Sequence, residues 1–202
     1  MKTIRNPQFD KDSLIKLILS IPKTKILVIG DLMLDEFIWG KVNRISPEAP
    51  VPVVNVTKQS FALGGAANVV NNVRALGGQV YVAGVIGTDE IGKRLLNEFR
   101  KVGAKPVAVV NDKSRPTTLK TRVVAHHQQV VRIDRETAGE FNGKVLQKLF
   151  DAVGRNIPKC DAIIIEDYGK GVITPNILRH VRQLARKYKK LVTVDPKQNH
   201  FS

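Results

Sequence analysis

Short apolar runs that alternate with segments of helical periodicity constrain the fold of this chain more than any other feature of its 202 residues. The first run, KILVI at 25–29, has four large apolar residues in a row and is followed by Gly30. Such runs are typical of strands that are buried on both faces of a sheet. Similar runs occupy residues 80–86, 106–110, 162–165 and 191–194, and helical patterns occupy 65–76, 89–102, 141–153 and 174–188. The alternation predicts an α/β fold in which helices cover both faces of a mostly parallel sheet.

Two β-rich segments, at about 36–60 and 117–134, interrupt this alternation. The first contains several prolines, which exclude a helix and favour short exposed strands joined by turns. The second has β-rich runs on either side of His126-His127, a pattern that favours a hairpin with the histidines at its tip. We expect the two segments to pair into a small sheet outside the main one, within one domain that covers residues 1–202.

Composition excludes several classes of protein. No apolar run approaches the length of about 18 residues that a membrane span requires, and the charged N-terminus lacks the apolar centre of a secretory signal. Cys160 is the only cysteine, so neither an intramolecular disulfide nor a cysteine-based zinc cluster can form, and no metal site is predicted. These features predict a cytoplasmic protein with no membrane partner.

The 33 basic and 18 acidic residues give a formal net charge of +15, which raises the question of nucleic-acid binding. The basic residues are spread over most of the chain, and their densest block, between Arg179 and Lys190, lies on a predicted helix whose other face is apolar. We favour a solvated helix face and predict no nucleic-acid partner. The alternative, a nucleic-acid binder, predicts binding that weakens steeply with salt.

In open α/β sheets, ligands bind beyond the carboxyl ends of the strands. Asp31 and Asp35 follow the first predicted strand, where their carboxylates could accept hydrogen bonds from sugar hydroxyls; the alternative for each is a turn or cap residue. Gly64, Gly65 and Asn68 open a predicted helix, where small residues let backbone amides approach a ligand. The alternative there is a tight loop.

Three further groups of residues suit phosphate chemistry. Two of them, Asp167 with Lys170 and Asp195 with Lys197, follow the last two predicted strands, and the alternative for both is a capped loop. The third group lies in the predicted hairpin, where side chains two residues apart share one strand face. It could form a basic clamp for a sugar phosphate or a solvated strand face, and it consists of Lys120 and Arg122.

Several motifs in order resemble the N-terminal half of PfkB-type sugar kinases. They are VIGDLMLDEFIWGKVNRISPEAPVPVV at 28–54, GGAANVVNNVRALGG at 64–78 and GVIGTDEIGKRLL at 84–96. A narrower resemblance, to the heptose 7-phosphate kinases of ADP-heptose synthesis, rests on NRISPEAPVP at 43–52, KTRVVAHHQQVVRID at 120–134, EDYGKG at 166–171 and VDPK at 194–197. The resemblance runs from about residue 25 to residue 202.

The resemblance implies a ribokinase-like three-layer α/β/α fold with a small β-lid formed by the two β-rich segments. It implies ATP-dependent phosphorylation of D-glycero-D-manno-heptose 7-phosphate at the anomeric hydroxyl, a step in the synthesis of lipopolysaccharide core. ATP and Mg²⁺ are the implied cofactors, the sugar phosphate is the implied substrate, and a homodimer through the lid is the implied assembly.

The resemblance also assigns roles to individual residues. Asp35 matches the acidic residue that binds sugar hydroxyls in this family, with Asp31 as its neighbour, and the Gly64 motif matches the family's sugar-side glycines. Lys170 and Lys197 are expected to face the transferred phosphate.

The chain departs from the family pattern in three respects. Two of them are the absence of the family's Asn-x-x-Glu magnesium motif and of most of its nucleotide pocket. The Gly-Ala-Gly-Asp motif that carries the catalytic base is absent, so we assign no catalytic residue, expect the base beyond Ser202 and expect this chain to be inactive alone. The alternatives are another PfkB sugar or sugar-phosphate kinase and a non-catalytic fragment that binds sugar phosphate.

Overall fold

The structure is a computed structural model that describes residues 10–137, 139 and 141–197. Its strands are β1 (Lys25–Gly30), β2 (Leu32–Ile45), β3 (Pro52–Gly65), β4 (Gln79–Gly87), β5 (Lys105–Asp112), β6 (Thr118–Ala125), β7 (Gln128–Arg135), β8 (Ala162–Glu166) and β9 (Leu191–Asp195). Its α-helices are α1 (Lys11–Ser20), α2 (Ala66–Ala75), α3 (Glu90–Lys101), α4 (Gly143–Asn156) and α5 (Pro175–Lys187). Short 3₁₀ turns follow α1 and α4.

The main sheet has five strands in the order β5-β4-β1-β8-β9, and every neighbouring pair is parallel. Side chains of β1 alternate between two cores, because successive residues of a strand point to opposite faces. Leu27 and Ile29 pack in the core that contains residues of α4 and α5, whereas Val28 packs in the core that contains residues of α2 and α3. The three-layer α/β/α prediction is therefore confirmed.

The last predicted strand, at 191–194, is confirmed as β9. It lies at the edge of the main sheet, and Leu191 and Val194 are exposed. Within the described part of the chain β9 has a neighbour on one side only, β8, so it does not gain the burial that both neighbours give to β1.

A second sheet has the strand order β3-β2-β6-β7 and is formed by the two β-rich segments. Its strands β2 and β3 each span 14 residues and pair antiparallel along most of their length, where the sequence favoured short strands. The difference follows from the positions of the prolines. Pro47 and Pro50 lie in the loop between the two strands and Pro52 is the first residue of β3, so none interrupts a strand.

The hairpin tip between β6 and β7 is formed by His126 and His127, as predicted. Both residues have positive φ angles, 49° and 64°, which two-residue hairpin turns of type I′ require.

The second sheet begins and ends at the carboxyl edge of the main sheet. The chain passes from β1 directly into β2, and it returns from β3 through Gly65 into α2. Gly65 has a φ of +54°, and a Cβ atom there would lie 2.7 Å from the backbone oxygen of Asp31. A Cβ atom at Gly30 would lie 2.2 Å from the backbone oxygen of Glu166. Gly65 therefore lets the end of β3 approach the junction of β1 and β2, and Gly30 lets β1 and β8 of the main sheet approach closely.

The N-terminal helix α1 lies on the surface. None of its residues is buried, and its apolar side chains, Leu17 and Ile18 among them, are exposed. No helix in the part of the chain described by the structure is long and apolar enough to cross a membrane.

Candidate functional site

Asp35 and Arg122 form an ion pair on one face of the second sheet. Strands β2 and β6 run parallel with Asp35 opposite Lys120 and Phe37 opposite Arg122, so these side chains share a face. The Nη1 atom of Arg122 donates a hydrogen bond of 2.6 Å to Oδ1 of Asp35. The two side chains keep 26% and 20% of their surface exposed. The carboxylate is thus held in one orientation and remains accessible to a ligand.

The predicted glycine motif lies beside Asp35. Gly64 has no side chain to fill the space over this carboxylate, and a Cβ atom there would lie 2.7 Å from Oδ2 of Asp35. Gly65 is the N-cap residue of α2, and Asn68 is exposed in the first turn of this helix. The structure therefore brings an accessible carboxylate and a helix N-terminus together, an arrangement that can bind polar groups from two sides.

Four charged side chains form a cluster that we call the lysine–glutamate cluster: Lys120, Asp134, Glu136 and Lys170. The Nζ atom of Lys120 lies 3.1 Å from Oδ2 of Asp134 and 3.6 Å from Oε2 of Glu136. The Nζ atom of Lys170 donates a hydrogen bond of 2.6 Å to Oε1 of Glu136. The cluster joins the second sheet to the loop that follows β8.

The acidic members of this cluster are ionised near neutral pH. Desolvation opposes the charge of Glu136, but the hydrogen bond from Lys170 and the charge of Lys120 outweigh it and lower the pKa of this carboxyl. Desolvation likewise opposes the charge of Asp134, and Lys120 and Arg132 outweigh it and lower the pKa of that carboxyl. The two lysines are thus neutralised by carboxylates from the protein itself.

The sequence reasoning missed both acidic members. Asp134 lies directly opposite Lys120 only because a register shift between Val123 and Val124 displaces the pairing by one residue, which counting back from the hairpin tip does not predict. Glu136 follows the end of β7, and its partner Lys170 is 34 residues away. No local pattern indicates that contact.

Asp31 directly follows β1, where the sequence placed it, and its side chain is buried. It is 1% exposed, and Oδ2 accepts hydrogen bonds from the backbone N–H groups of Tyr168 at 2.9 Å and Lys170 at 3.0 Å. Its Oδ1 atom accepts another from the N–H group of Val172 at 3.1 Å. Burial raises the pKa of Asp31, and the three amides oppose that shift. Both oxygens of Asp31 therefore hold the 167–172 loop in place, and its sugar-binding role stays a prediction.

Two acidic residues end the neighbouring strands β8 and β9. Glu166 and Asp195 are partners in the parallel register, so their carboxyl groups belong to the same edge of the sheet. Burial, and then the charge of Asp195, raise the pKa of Glu166 to about 7. Sequence reasoning selected Asp195 but not Glu166, whose strand position alone does not show that it is buried.

The remaining predicted residues border this edge. Asp167 donates its backbone N–H to the backbone oxygen of Asp195 at 3.0 Å, and its Oδ1 accepts the N–H of Gly169 at 2.9 Å. The side chain of Lys197 lies over Gly169, where a Cβ atom would be 2.6 Å from its Nζ atom. The 167–172 loop thus lies between the lysine–glutamate cluster and the acidic strand ends.

The raised pKa of Glu166 predicts a pH-dependent stability. Between its ordinary pKa of 4.5 and about 7, the folded chain binds more protons at Glu166 than the unfolded chain. Stability from this group is therefore complete at low pH and is lost as the pH rises. We expect the free energy of unfolding of the wild type to fall by about 3 kcal/mol relative to Glu166→Gln between about pH 5 and pH 8, measured by urea unfolding.

The Asp195→Asn variant is the matched control for this experiment. It removes the second cause of the shift, so the fall in stability should become smaller without disappearing. Parallel pH profiles for the wild type and Glu166→Gln would show that Glu166 is not desolvated as described.

The fold is that of solved carbohydrate kinases of the ribokinase-like class. A possible 1-phosphofructokinase from Thermotoga maritima superposes with a TM-score of 0.66 at 18% identity, over 87% of this chain and 54% of that chain. Phosphofructokinase-2 from Escherichia coli superposes with a TM-score of 0.64 at 18% identity, over 86% and 54%. Residues 23–201 match the model of the pfkB family carbohydrate kinase, and the chain belongs to that family.

Curated relatives are more similar in sequence to this chain than these solved structures are. The "Bifunctional protein HldE" of Helicobacter acinonychis is 46% identical over 178 residues, which are 88% of this chain and 38% of that protein. The protein of the same name from Geobacter sulfurreducens is 48% identical over 176 residues, which are 87% and 36%. The chain thus spans less than two fifths of the length of these relatives.

Proposed function

We propose that this chain carries the substrate-side half of an ATP-dependent kinase that phosphorylates D-glycero-D-manno-heptose 7-phosphate at the anomeric hydroxyl, giving the 1,7-bisphosphate for ADP-heptose synthesis. One observation carries the proposal. The same face of the second sheet presents an accessible carboxylate, Asp35, and a row of cations formed by Lys120 and Arg122. A ligand with hydroxyl groups at one end and a phosphate at the other matches that pair of features.

Asp35 is the proposed acceptor for sugar hydroxyls. Its Oδ1 atom is bound by Arg122, whereas Oδ2 faces the space left by Gly64. A carboxylate oriented by a guanidinium group loses little conformational freedom when it accepts a ligand's hydroxyl hydrogens. Asn68 and the N-terminus of α2 would add polar contacts from the opposite side.

Lys120 is the proposed phosphate ligand on the second sheet, with Arg122 beside it. The Lys120 side chain is only 16% exposed, and burial of this kind strengthens its attraction for an anion. Lys170 approaches the same place from the 167–172 loop. Cations from both sheets therefore surround the proposed phosphate position.

The acidic strand ends suit a magnesium nucleotide. Mg²⁺ prefers oxygen ligands and is usually held by one or two carboxylates together with phosphate oxygens. Glu166 and Asp195 are a carboxylate pair of this kind, and no larger group of ligating side chains occurs in the described residues. We propose that they hold Mg²⁺, which neutralises charge on the transferred phosphoryl group when bound, with Asp167, Lys170 and Lys197 nearby.

The second sheet is the proposed lid and dimer contact. It crosses the carboxyl edge of the main sheet, and its edge strand β7 is exposed along its whole length, including Val131 and Ile133. An exposed strand edge with apolar side chains can pair with a second copy of the chain. Covering the sugar with this sheet would protect the transferred phosphoryl group from water.

Thermal unfolding with candidate ligands tests the function. A ligand that binds the folded state but not the unfolded state raises the free energy of unfolding by about 2.7 kcal/mol when its concentration is a hundred times its Kd. We expect heptose 7-phosphate to stabilise the chain more than fructose 6-phosphate or ribose do. The Lys120→Met variant should lose most of this stabilisation, whereas Lys148→Met, on the exposed face of α4, should keep it.

Other outcomes of this experiment would redirect the proposal. Stronger stabilisation by fructose 6-phosphate would assign the chain to another sugar-phosphate kinase. No shift with any of the sugars would contradict a sugar-phosphate site on this chain.

A further inference from the structure

Glu136 lies between two ammonium groups that the proposed function assigns to phosphate. Its Oε1 atom is 2.6 Å from Nζ of Lys170, and its Oε2 atom is 3.6 Å from Nζ of Lys120. One lysine belongs to the second sheet and the other to a loop of the main sheet. The carboxylate of Glu136 thus contacts a lysine of the second sheet and a lysine of the loop that follows β8.

One oxygen of the Glu136 carboxylate lacks a hydrogen-bond donor. Oε2 is buried and has no hydrogen-bond partner, because its distance to Lys120 exceeds that of a hydrogen bond. A buried acceptor without a donor is costly. A phosphate monoester has three terminal oxygens and up to two negative charges, so it can contact both lysines where the carboxylate contacts only one closely.

Glu136 is also held by few constraints. It follows the last residue of β7 and belongs to no helix or strand, and the bonds described for its side chain are the contacts with the two lysines. Lys120 keeps a second partner, Asp134, at 3.1 Å. Displacement of Glu136 therefore leaves Lys120 paired with Asp134 in the hairpin and frees the ammonium group of Lys170.

We propose that Glu136 is an internal competitor of the substrate's phosphate group: its carboxylate occupies the position between Lys120 and Lys170 and is displaced when a phosphate monoester binds. The proposal rests on the proposed function, since it concerns the same two lysines. It makes Glu136 a specificity-determining residue, because a neutral sugar or a weakly charged anion cannot displace it, whereas a dianionic phosphate can.

Calorimetric titration of the 202-residue chain with inorganic phosphate and with fructose 6-phosphate at low salt tests the competition. We expect Glu136→Gln to bind both about tenfold more tightly than the wild type, because a like charge beside the bound anion has been removed. The matched control is Glu98→Gln, whose carboxylate pairs with Lys101 on α3 at 2.7 Å and should leave both affinities unchanged.

A Glu136→Gln variant that binds phosphate equally or less tightly would overturn the proposal. If that variant does not fold, Glu136→Asp replaces it: the shorter side chain cannot span both lysines, and tighter phosphate binding is again expected. If the wild type binds sugar phosphate through Lys120 and neither variant binds it more tightly, the competition by Glu136 is refuted, but the proposed phosphate site is not. Absence of phosphate binding in the wild type and in every variant refutes the proposed phosphate site as well.

Discussion

Replacement of Asp31 by alanine is expected to lower the free energy of unfolding by about 4 kcal/mol. The substitution leaves three backbone N–H groups without their acceptor: that of Val172, which is buried, and those of Tyr168 and Lys170, which are partly buried. Each buried donor that loses its partner costs about 1–3 kcal/mol. The effect is large because one side chain accepts hydrogen bonds from three amides of the same loop.

Urea unfolding followed by circular dichroism measures this change. Asp31→Asn should fall between the wild type and Asp31→Ala, because an amide has one carbonyl oxygen to accept hydrogen bonds instead of two carboxylate oxygens. The control is Asp151→Asn, an exposed position on α4 that should change the stability by less than about 0.5 kcal/mol. A stable Asp31→Ala protein that has lost only ligand affinity would contradict this structural role and support the sugar-binding role that the sequence predicts for Asp31.

The Asp35→Asn variant is expected to show the opposite pattern. Its affinity for the sugar phosphate should fall by about 100-fold, because two hydrogen bonds from hydroxyl groups to a charged acceptor would be weakened. Its free energy of unfolding should fall by less than about 1 kcal/mol, because Asp35 and Arg122 are an ion pair that is partly open to solvent.

Titration with heptose 7-phosphate and with inorganic phosphate separates the two ends of the ligand. Asp35→Asn should lower the affinity for heptose 7-phosphate and leave the affinity for inorganic phosphate unchanged, since inorganic phosphate offers no sugar hydroxyls to this carboxylate. Asp151→Asn again serves as the control. A loss of several kcal/mol in stability, or equal weakening of both ligands, would show that Asp35 supports the structure and does not contact the sugar.

Several features of the fold follow from the sequence alone, because they depend on neighbouring residues. The run at 25–29 predicts the central buried strand, since alternate side chains of β1 pack in cores on opposite faces. Thr174 caps the N-terminus of α5 with its side-chain oxygen, and Pro175 is the first residue of that helix. The spacing of Lys120 and Arg122 predicts that they share one strand face, and the register of β6 agrees.

The chemistry of individual residues was decided by the tertiary structure. Asp31 and Asp35 are four residues apart and have the same side chain, yet one is buried under a loop and the other faces solvent beside Arg122. The amides that bind Asp31 come from residues 137 to 141 positions later in the chain. Glu136 and Lys170 meet only because the second sheet lies against the carboxyl edge of the main sheet.

The distinction has a physical reason. Periodicity, caps and turns reflect backbone geometry over a few residues, so a single segment of sequence determines them. Burial, hydrogen-bond partners and pKa shifts depend on which distant segments become neighbours when the sheets close. The sequence by itself therefore determined the layers of this protein and its family, and the tertiary structure decided which of its carboxylates hold a loop, stay open to solvent or neutralise a lysine.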